Sequence, residues 1–193
     1  MIHGTPQIFH NIKAIFIHIP KTAGTSIERT LGNTQFGGHS YAKTIKKKYP
    51  EEWNNYYKFT IVRDPFTRFA SAYYYLKQKS VHPALLNNNI HISRDINDYI
   101  QNYFSLSDTL HMKPQVDFIS EEEEILVDTY PYEDLENSWI SILSRLSLNF
   151  IPLPVFNKSN TYKINYDSKS ISILEEMYKE DFKLLNGAYK MKS

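Results

Sequence analysis

The chain has 193 residues, 41% of them hydrophobic, which suits one domain with a buried core and excludes a disordered chain. It contains no cysteine, so disulfides, thiolate zinc sites and cysteine nucleophiles are all excluded, and a reducing compartment fits. The net charge is only +1, yet residues 1–80 carry 12 Lys and Arg against 4 Asp and Glu, and the remainder is acidic, a balance that suits an anionic ligand in the first half.

Residues 1–13 lack the basic segment and apolar stretch of a signal peptide. The apolar run Ala14–Ile19 is interrupted by His18 and is too short to span a bilayer. The expectation is a soluble, cytoplasmic protein with no integral membrane segment, with peripheral contact to a membrane-bound substrate left open. The basic residues are not interleaved with a nucleic-acid-binding motif, so no nucleic acid partner is expected.

In chain order, Ala14–Ile19 is a short apolar run closed by Pro20 and predicts a buried strand. Gly24–Leu31 predicts a helix ending before Gly32. Lys46, Lys47 and Lys48 read as solvated lysines. Lys58–Val62 predicts a second strand, and Pro65 opens a helix where its missing N–H is harmless. That helix presents Phe66, Phe69, Ala70, Tyr73 and Lys77 on one face. Ser80–Asp95, rich in Asn and His, reads as loop, and Glu121–Glu124 as a solvated turn. Ile125–Val127 is read as a third strand. Leu135, Trp139, Ile142, Leu143 and Leu146 recur at helical spacing, as do Ile171, Leu174, Tyr178, Phe182 and Leu185. Both stripes read as core. Strand, loop and helix alternate, which predicts a single domain over 1–193 with an α/β, three-layer fold and a mainly parallel sheet, its ligands at the carboxyl ends of the strands.

Two constellations carry chemistry. In Ile19-Pro20-Lys21-Thr22-Ala23-Gly24-Thr25-Ser26 a strand enters a small-residue loop that opens a helix. Such N–H groups hold phosphate or sulfate, Lys21 adds a full charge, and Thr22, Thr25 and Ser26 add hydroxyls. The loop is P-loop-like but is not GxxxxGK[ST], since Thr25 follows Gly24 and the lysine precedes it, which disfavours a nucleoside triphosphatase. Thr25-Ser26-Ile27-Glu28 also fits a capping box.

In Arg63-Asp64-Pro65-Phe66-Thr67-Arg68-Phe69-Ala70-Ser71, Arg63 follows a strand and precedes a helix, so it belongs at the same sheet edge as the first loop. Its guanidinium suits bidentate phosphate contact, and Ser71, eight residues on, can face the same anion. Arg68 reads either as a further donor or as a surface charge, and Asp64 as an N-cap. Together the constellations predict a ligand with two separated anionic groups.

At these residues the chain resembles the sulfotransferases that use 3′-phosphoadenosine 5′-phosphosulfate (PAPS), especially their carbohydrate, family 2-like branch. HIPKTAGTS looks like that family's 5′-phosphosulfate loop, and RDPFTRFAS like its 3′-phosphate motif. Weaker echoes follow in His111-Met112-Lys113-Pro114-Gln115, in Phe156-Asn157-Lys158-Ser159 and in Tyr178-Lys179-Glu180-Asp181-Phe182. The resemblance implies PAPS as donor, 3′-phosphoadenosine 5′-phosphate (PAP) as product, and a carbohydrate or other hydroxyl-bearing acceptor. It implies a cofactor site of Lys21, Thr22, Ala23, Gly24, Thr25, Ser26, Arg63 and Ser71, with no metal. It also implies that Lys21 stabilises the leaving group and that His39, after Gly37-Gly38, is the base. His111 and Glu28 are the other candidates for the base, and His18 reads as a packing or hydrogen-bonding residue. Lys163 is a further candidate for the 3′-phosphate, and Tyr73, Tyr74, Tyr75 and His82 read as sugar contacts or as core and loop. Two alternatives stay open. One is a small-molecule kinase, with Ile125-Leu126-Val127-Asp128 as a Walker B-like strand; the other is a non-catalytic nucleotide-binding protein of the same fold.

Overall fold

The computed structural model describes residues 7–32, 38–78, 89–105, 109–154 and 164–190, with 185–190 as backbone alone. The segments around His82, Asn157, Ser159 and Lys163, and Gly37, lie outside the described residues.

A four-stranded sheet has the order β1 (Gln7–Phe9), β2 (Ala14–Phe16), β3 (Tyr57–Val62), β6 (Asp128–Pro131). β1 is antiparallel to β2, whereas β2, β3 and β6 are parallel, with Phe16 opposite Phe59 and Val62 opposite Pro131. The fold is therefore α/β with a mainly parallel sheet, and the carboxyl ends of three strands open on one edge. α1 (Gly24–Thr30), α2 (Ala42–Lys48), α3 (Pro50–Asn55), α4 (Pro65–Gln78) and α5 (Ile96–Asn102) follow in the first half. α6 (Val116–Ile119), the hairpin β4 (Ser120–Glu121) and β5 (Glu124–Ile125), α7 (Leu135–Arg145), α8 (Ser168–Met177) and α9 (Lys179–Lys190) complete the chain.

Alternation along β2 and its extension divides the core. Ile15, Ile17 and Ile19 pack with Ala42, Ile45, Trp53, Phe118 and Ile119 on one face of the sheet. Ala14 and Phe16 pack with Phe59, Ile61, Ile27, Trp139 and Ile142 on the other. Helices thus cover both faces, the three-layer arrangement expected of buried parallel strands. A third cluster joins α4, α5 and α8 through Phe69, Tyr73, Tyr99 and Leu174.

The regular part of β2 is shorter than the predicted Ala14–Ile19. Ile17 still donates its N–H to Phe59, but its carbonyl accepts from the Thr60 hydroxyl at 2.7 Å and from the Ile19 N–H at 3.2 Å, so the ladder ends there in a tight turn while the chain stays buried to Pro20. The predicted third strand at Ile125–Val127 is displaced. Glu122 and Glu123 have φ of 49° and 68°, the primed-turn geometry that folds β4 onto β5, and Ile125 is exposed. The four glutamates are a surface turn as expected, with Glu121 paired to Lys46 at 2.7 Å.

The third parallel strand is β6. It has no apolar run to announce it and is tied to β3 by Tyr57, whose hydroxyl donates to Asp128 at 2.9 Å and bonds Tyr130 at 2.7 Å. The C-terminal helical stripe divides at Tyr178 into α8 and α9. In the predicted Ser80–Asp95 loop, described residues 89–95 form turns, with Ile90 and Ser93 buried and Asp95 capping α5. Among the described residues no helix is long and apolar enough to cross a membrane.

Candidate active site

The first loop leaves β2 in an unusual backbone path. Lys21 and Ala23 both lie in the left-handed region, with φ of 71° and 66°. Each such residue costs about 1–2 kcal/mol without a glycine, and strain of this kind concentrates at binding sites. Left-handed residues next to one of ordinary φ are the backbone pattern from which anion-binding nests are built. Among the described residues nothing accepts from the N–H groups of Thr22, Ala23, Gly24 or Thr25, so this donor set fits an anionic group.

The capping box is not formed. Ala23 is the N-cap of α1 and no side chain caps it. Thr22 is buried with its hydroxyl donating to the Ile19 carbonyl at 2.9 Å, so it offers an anion its N–H and not its hydroxyl. Thr25 is partly exposed, while Ser26 is buried.

Glu28 turns inward, away from the position a capping box requires, and its Oε1 accepts from Nδ1 of His18 at 2.5 Å. The His18 ring packs directly on Gly24: a Cβ there would stand 2.0 Å from its Cδ2 and 2.1 Å from its Nε2. Gly24 is therefore required by close approach of a ring. The His18 ring also meets His39 edge-on at 4.3 Å, and His39 lies 5.9 Å from His111. His111 contacts Tyr75 at 5.4 Å, and the Tyr75 ring lies 4.0 Å beneath the Lys21 ammonium. Every candidate for the base is thus in one chain of contacts that ends at Lys21.

His39 is the best placed of them to accept a proton. Its Nδ1 is 3.0 Å from the His18 carbonyl, and a carbonyl only accepts, so Nδ1 carries the hydrogen and Nε2 keeps the lone pair. Burial, followed by the neighbouring charge of His18 and smaller contributions from His111 and Arg68, lowers its pKa from 6.5 to about 3, so the ring is neutral at pH 7.

The second constellation is built on β3 and α4. Arg63 Nη1 donates to the Lys21 carbonyl at 3.2 Å, which joins the two constellations at one sheet edge. Its Nε donates to the Thr67 hydroxyl at 3.2 Å, and its guanidinium lies 4.2 Å over Tyr132 just beyond β6. Ser71 stands one helical turn after Thr67 and so shares that face of α4. Asp64 caps α4, accepting the Thr67 N–H at 2.9 Å.

Arg68 is neither a surface charge nor an anion ligand. It is buried, with Nε donating to Pro20 at 3.1 Å and Nη2 donating to the carbonyls of His111 and Lys113 at 3.2 and 2.8 Å. It fastens the first loop to the segment that carries His111.

The sequence model of the sulfotransferase family matches residues 7–190. The chain belongs to the sulfotransferase family. No curated protein and no solved structure matches it significantly. Family membership makes the chain a transferase of sulfuryl groups to hydroxyl-bearing acceptors.

Two segments of this sulfotransferase that resembled the family only faintly dock on each other. The Tyr178 hydroxyl donates to the Met112 carbonyl at 2.5 Å. Asp181 is fully buried and accepts from the N–H groups of Gln115 and Val116 at 2.8 and 3.0 Å. Gln115 in turn grips both backbone groups of Arg63: its Oε1 accepts the N–H at 2.8 Å and its Nε2 donates to the carbonyl at 2.7 Å. Through Gln115, α9 thereby holds the backbone of Arg63.

Sequence reasoning gave no role to Gln115, Asp181, Tyr132 or the pairing of His18 with Glu28. The segments around Gln115 and Asp181 were the available signal for the first two. Asp128, the Walker B-like residue, opens β6 at the sheet edge opposite the first loop and bonds Tyr57, so it does not share an edge with Lys21. Among the described residues no group of three or more His, Asp or Glu is arranged to hold a metal.

Proposed function

We propose that residues 1–193 form a single sulfotransferase domain that moves a sulfuryl group from PAPS to a carbohydrate hydroxyl by in-line displacement without a metal, in the cytoplasm or beside a membrane-bound acceptor. The observation that carries the reading is the Arg63–Lys21 contact. It sets an amide nest and an arginine side by side at one sheet edge, a match for a ligand with two anionic groups. The donor set fits PAPS: unsatisfied loop amides for the 5′-phosphosulfate, and Arg63 with Ser71 for the 3′-phosphate.

Bound PAPS supplies the sulfuryl group and, once that is transferred, is PAP. The N–H groups of Thr22, Ala23, Gly24 and Thr25, with the Thr25 and Ser26 hydroxyls, hold the 5′ end. Lys21 would supply the positive charge that offsets charge developing on the leaving group. Sulfuryl oxygens carry less charge than phosphoryl oxygens, so a lysine and amides suffice where phosphoryl transfer uses Mg²⁺. His39 takes the acceptor proton on Nε2. The anionic donor raises its proton affinity from the low value of the buried, ligand-free ring.

Calorimetric titration with PAP, AMP and ATP in the absence of metal tests the reading without knowledge of the acceptor. PAP binding at least tenfold tighter than AMP supports it. Equal affinity for PAP and AMP, or binding of ATP only with Mg²⁺, overturns it in favour of a kinase.

A further inference from the structure

The roles above leave one buried ionisable pair without a task. Glu28 is wholly buried, on a helix whose opening residues form the anion nest. Its Oε1 holds His18, and its Oε2 has no hydrogen-bond partner among the described residues. A buried carboxylate oxygen left unsatisfied is costly, and a catalytic role is one of the reasons such a group is kept. Gly24 preserves the arrangement, because any side chain there would displace the His18 ring.

The ring that Glu28 holds is the one that governs His39. The His18 carbonyl fixes the tautomer of His39, and the His18 imidazole forms the edge contact at 4.3 Å. The groups facing His39 are His18 from the extension of β2, His111 from the turn before α6, and Arg68 from α4. Arg68 is cationic and the two histidines are neutral or cationic, so none of the three stabilises a charged His39. Glu28 is one ring away, joined to His39 through His18.

We propose that Glu28 and His18 are a positioning dyad for the base. Glu28 orients His18, His18 sets the His39 tautomer, and the Glu28 carboxylate is the counter-charge for the imidazolium that His39 becomes. The proposal rests on the sulfuryl-transfer reading with His39 as base. In the step it serves, the acceptor O–H proton moves to His39 Nε2 and the acceptor oxygen bonds to sulfur. The bond from sulfur to the bridging oxygen breaks, and its electron pair leaves with the 5′-phosphate. The cluster gains one positive charge against one carboxylate, and the His18 Nδ1–H stays on Glu28 throughout.

Nitrogen-15 histidine spectra of the full chain test this, with PAP as the probe. The wild-type protein at pH 7 is expected to show His39 protonated on Nδ1 and a strongly downfield Nδ1 proton on His18. In the PAP complex, Glu28→Gln, which keeps the shape and the acceptor oxygen, is expected to lower the proton affinity of His39 by about tenfold or more. Glu28→Asp is expected to restore part of that loss, and the Kd for PAP stays within about twofold in both variants. A His39 protonated on Nε2 in the wild-type protein overturns the proposal without any variant, so it stands testable even where Glu28→Gln does not fold. An unchanged His39 titration in a Glu28→Gln protein that binds PAP overturns the dyad alone. Failure of PAP to bind the wild-type protein overturns the donor reading, and with it the catalytic sense of the dyad.

Discussion

Gly24→Ala separates close approach from backbone freedom. Gly24 opens α1, where alanine is the better helix former by up to about 1 kcal/mol, so local propensity favours the substitution. The tertiary contact opposes it. The new Cβ would stand 2.0–2.6 Å from Cδ2, Nε2 and Cγ of His18, against the ~3.5 Å of optimal carbon contact, so the ring must move by about 1.5 Å. That ring is buried, bonded to Glu28 at 2.5 Å and flanked by Phe16 and His39. Overpacking costs about 1–3 kcal/mol. Loss of the charge-assisted bond costs about 1.5–3 kcal/mol. After the helix gain, the expected loss is about 1.5–5 kcal/mol.

Urea unfolding followed by circular dichroism measures it. At about 2–4 °C per kcal/mol for a chain of this size, the thermal midpoint falls by on the order of 10 °C. A double-mutant cycle with His18→Ala decides the cause. With the ring removed, Gly24→Ala becomes neutral or stabilising, a coupling outside the range of independent sites. Equal destabilisation in both backgrounds, or a Gly24→Ala protein within about 0.5 kcal/mol of wild type, refutes the reasoning.

Three further expectations use the same geometry. Arg63→Ala loses a charge-assisted contact of about 1.5–3 kcal/mol, so calorimetry shows PAP affinity falling about 10- to 150-fold with AMP affinity unchanged; parallel loss for AMP removes Arg63 from the 3′-phosphate. His39 has a folded pKa of about 3 against 6.5 for an unperturbed ring, so the unfolded chain binds more protons between those values. The folded state therefore holds a stability contribution above pH 6.5 that is lost as pH falls towards 3. His39→Gln removes that slope, and a wild-type acid-unfolding profile in the variant counts against the buried neutral ring. Asp181→Ala strands the N–H groups of Gln115 and Val116 beside a buried Arg68, a loss of about 3–5 kcal/mol in urea unfolding. It also weakens PAP binding, because Gln115 no longer holds Arg63; a loss below about 1 kcal/mol refutes the clamp.

By itself the sequence determined the parts of this sulfotransferase that are local in the chain. Alternating isoleucines specify β2 and its buried extension, Pro65 specifies the start of α4, and both loops sit where a strand meets a helix. Parallel strands place their carboxyl ends on one edge, so the meeting of Lys21 with Arg63 followed once both strands were recognised. Tertiary structure decided whatever depends on a partner distant in sequence. Arg68 looks like a surface charge until carbonyls at positions 20, 111 and 113 enclose it. Thr25 and Glu28 have the spacing of a capping box, but the carboxylate turns inward to a buried imidazole ten residues earlier in the chain instead. β6 has no apolar run because aromatic hydroxyls and its place beside β3 hold it, and those bonds span 71 and 73 residues. Short-range pattern encodes which elements form and where they end. Which side chain satisfies a buried charge is settled only when packing removes water and leaves one acceptor within reach.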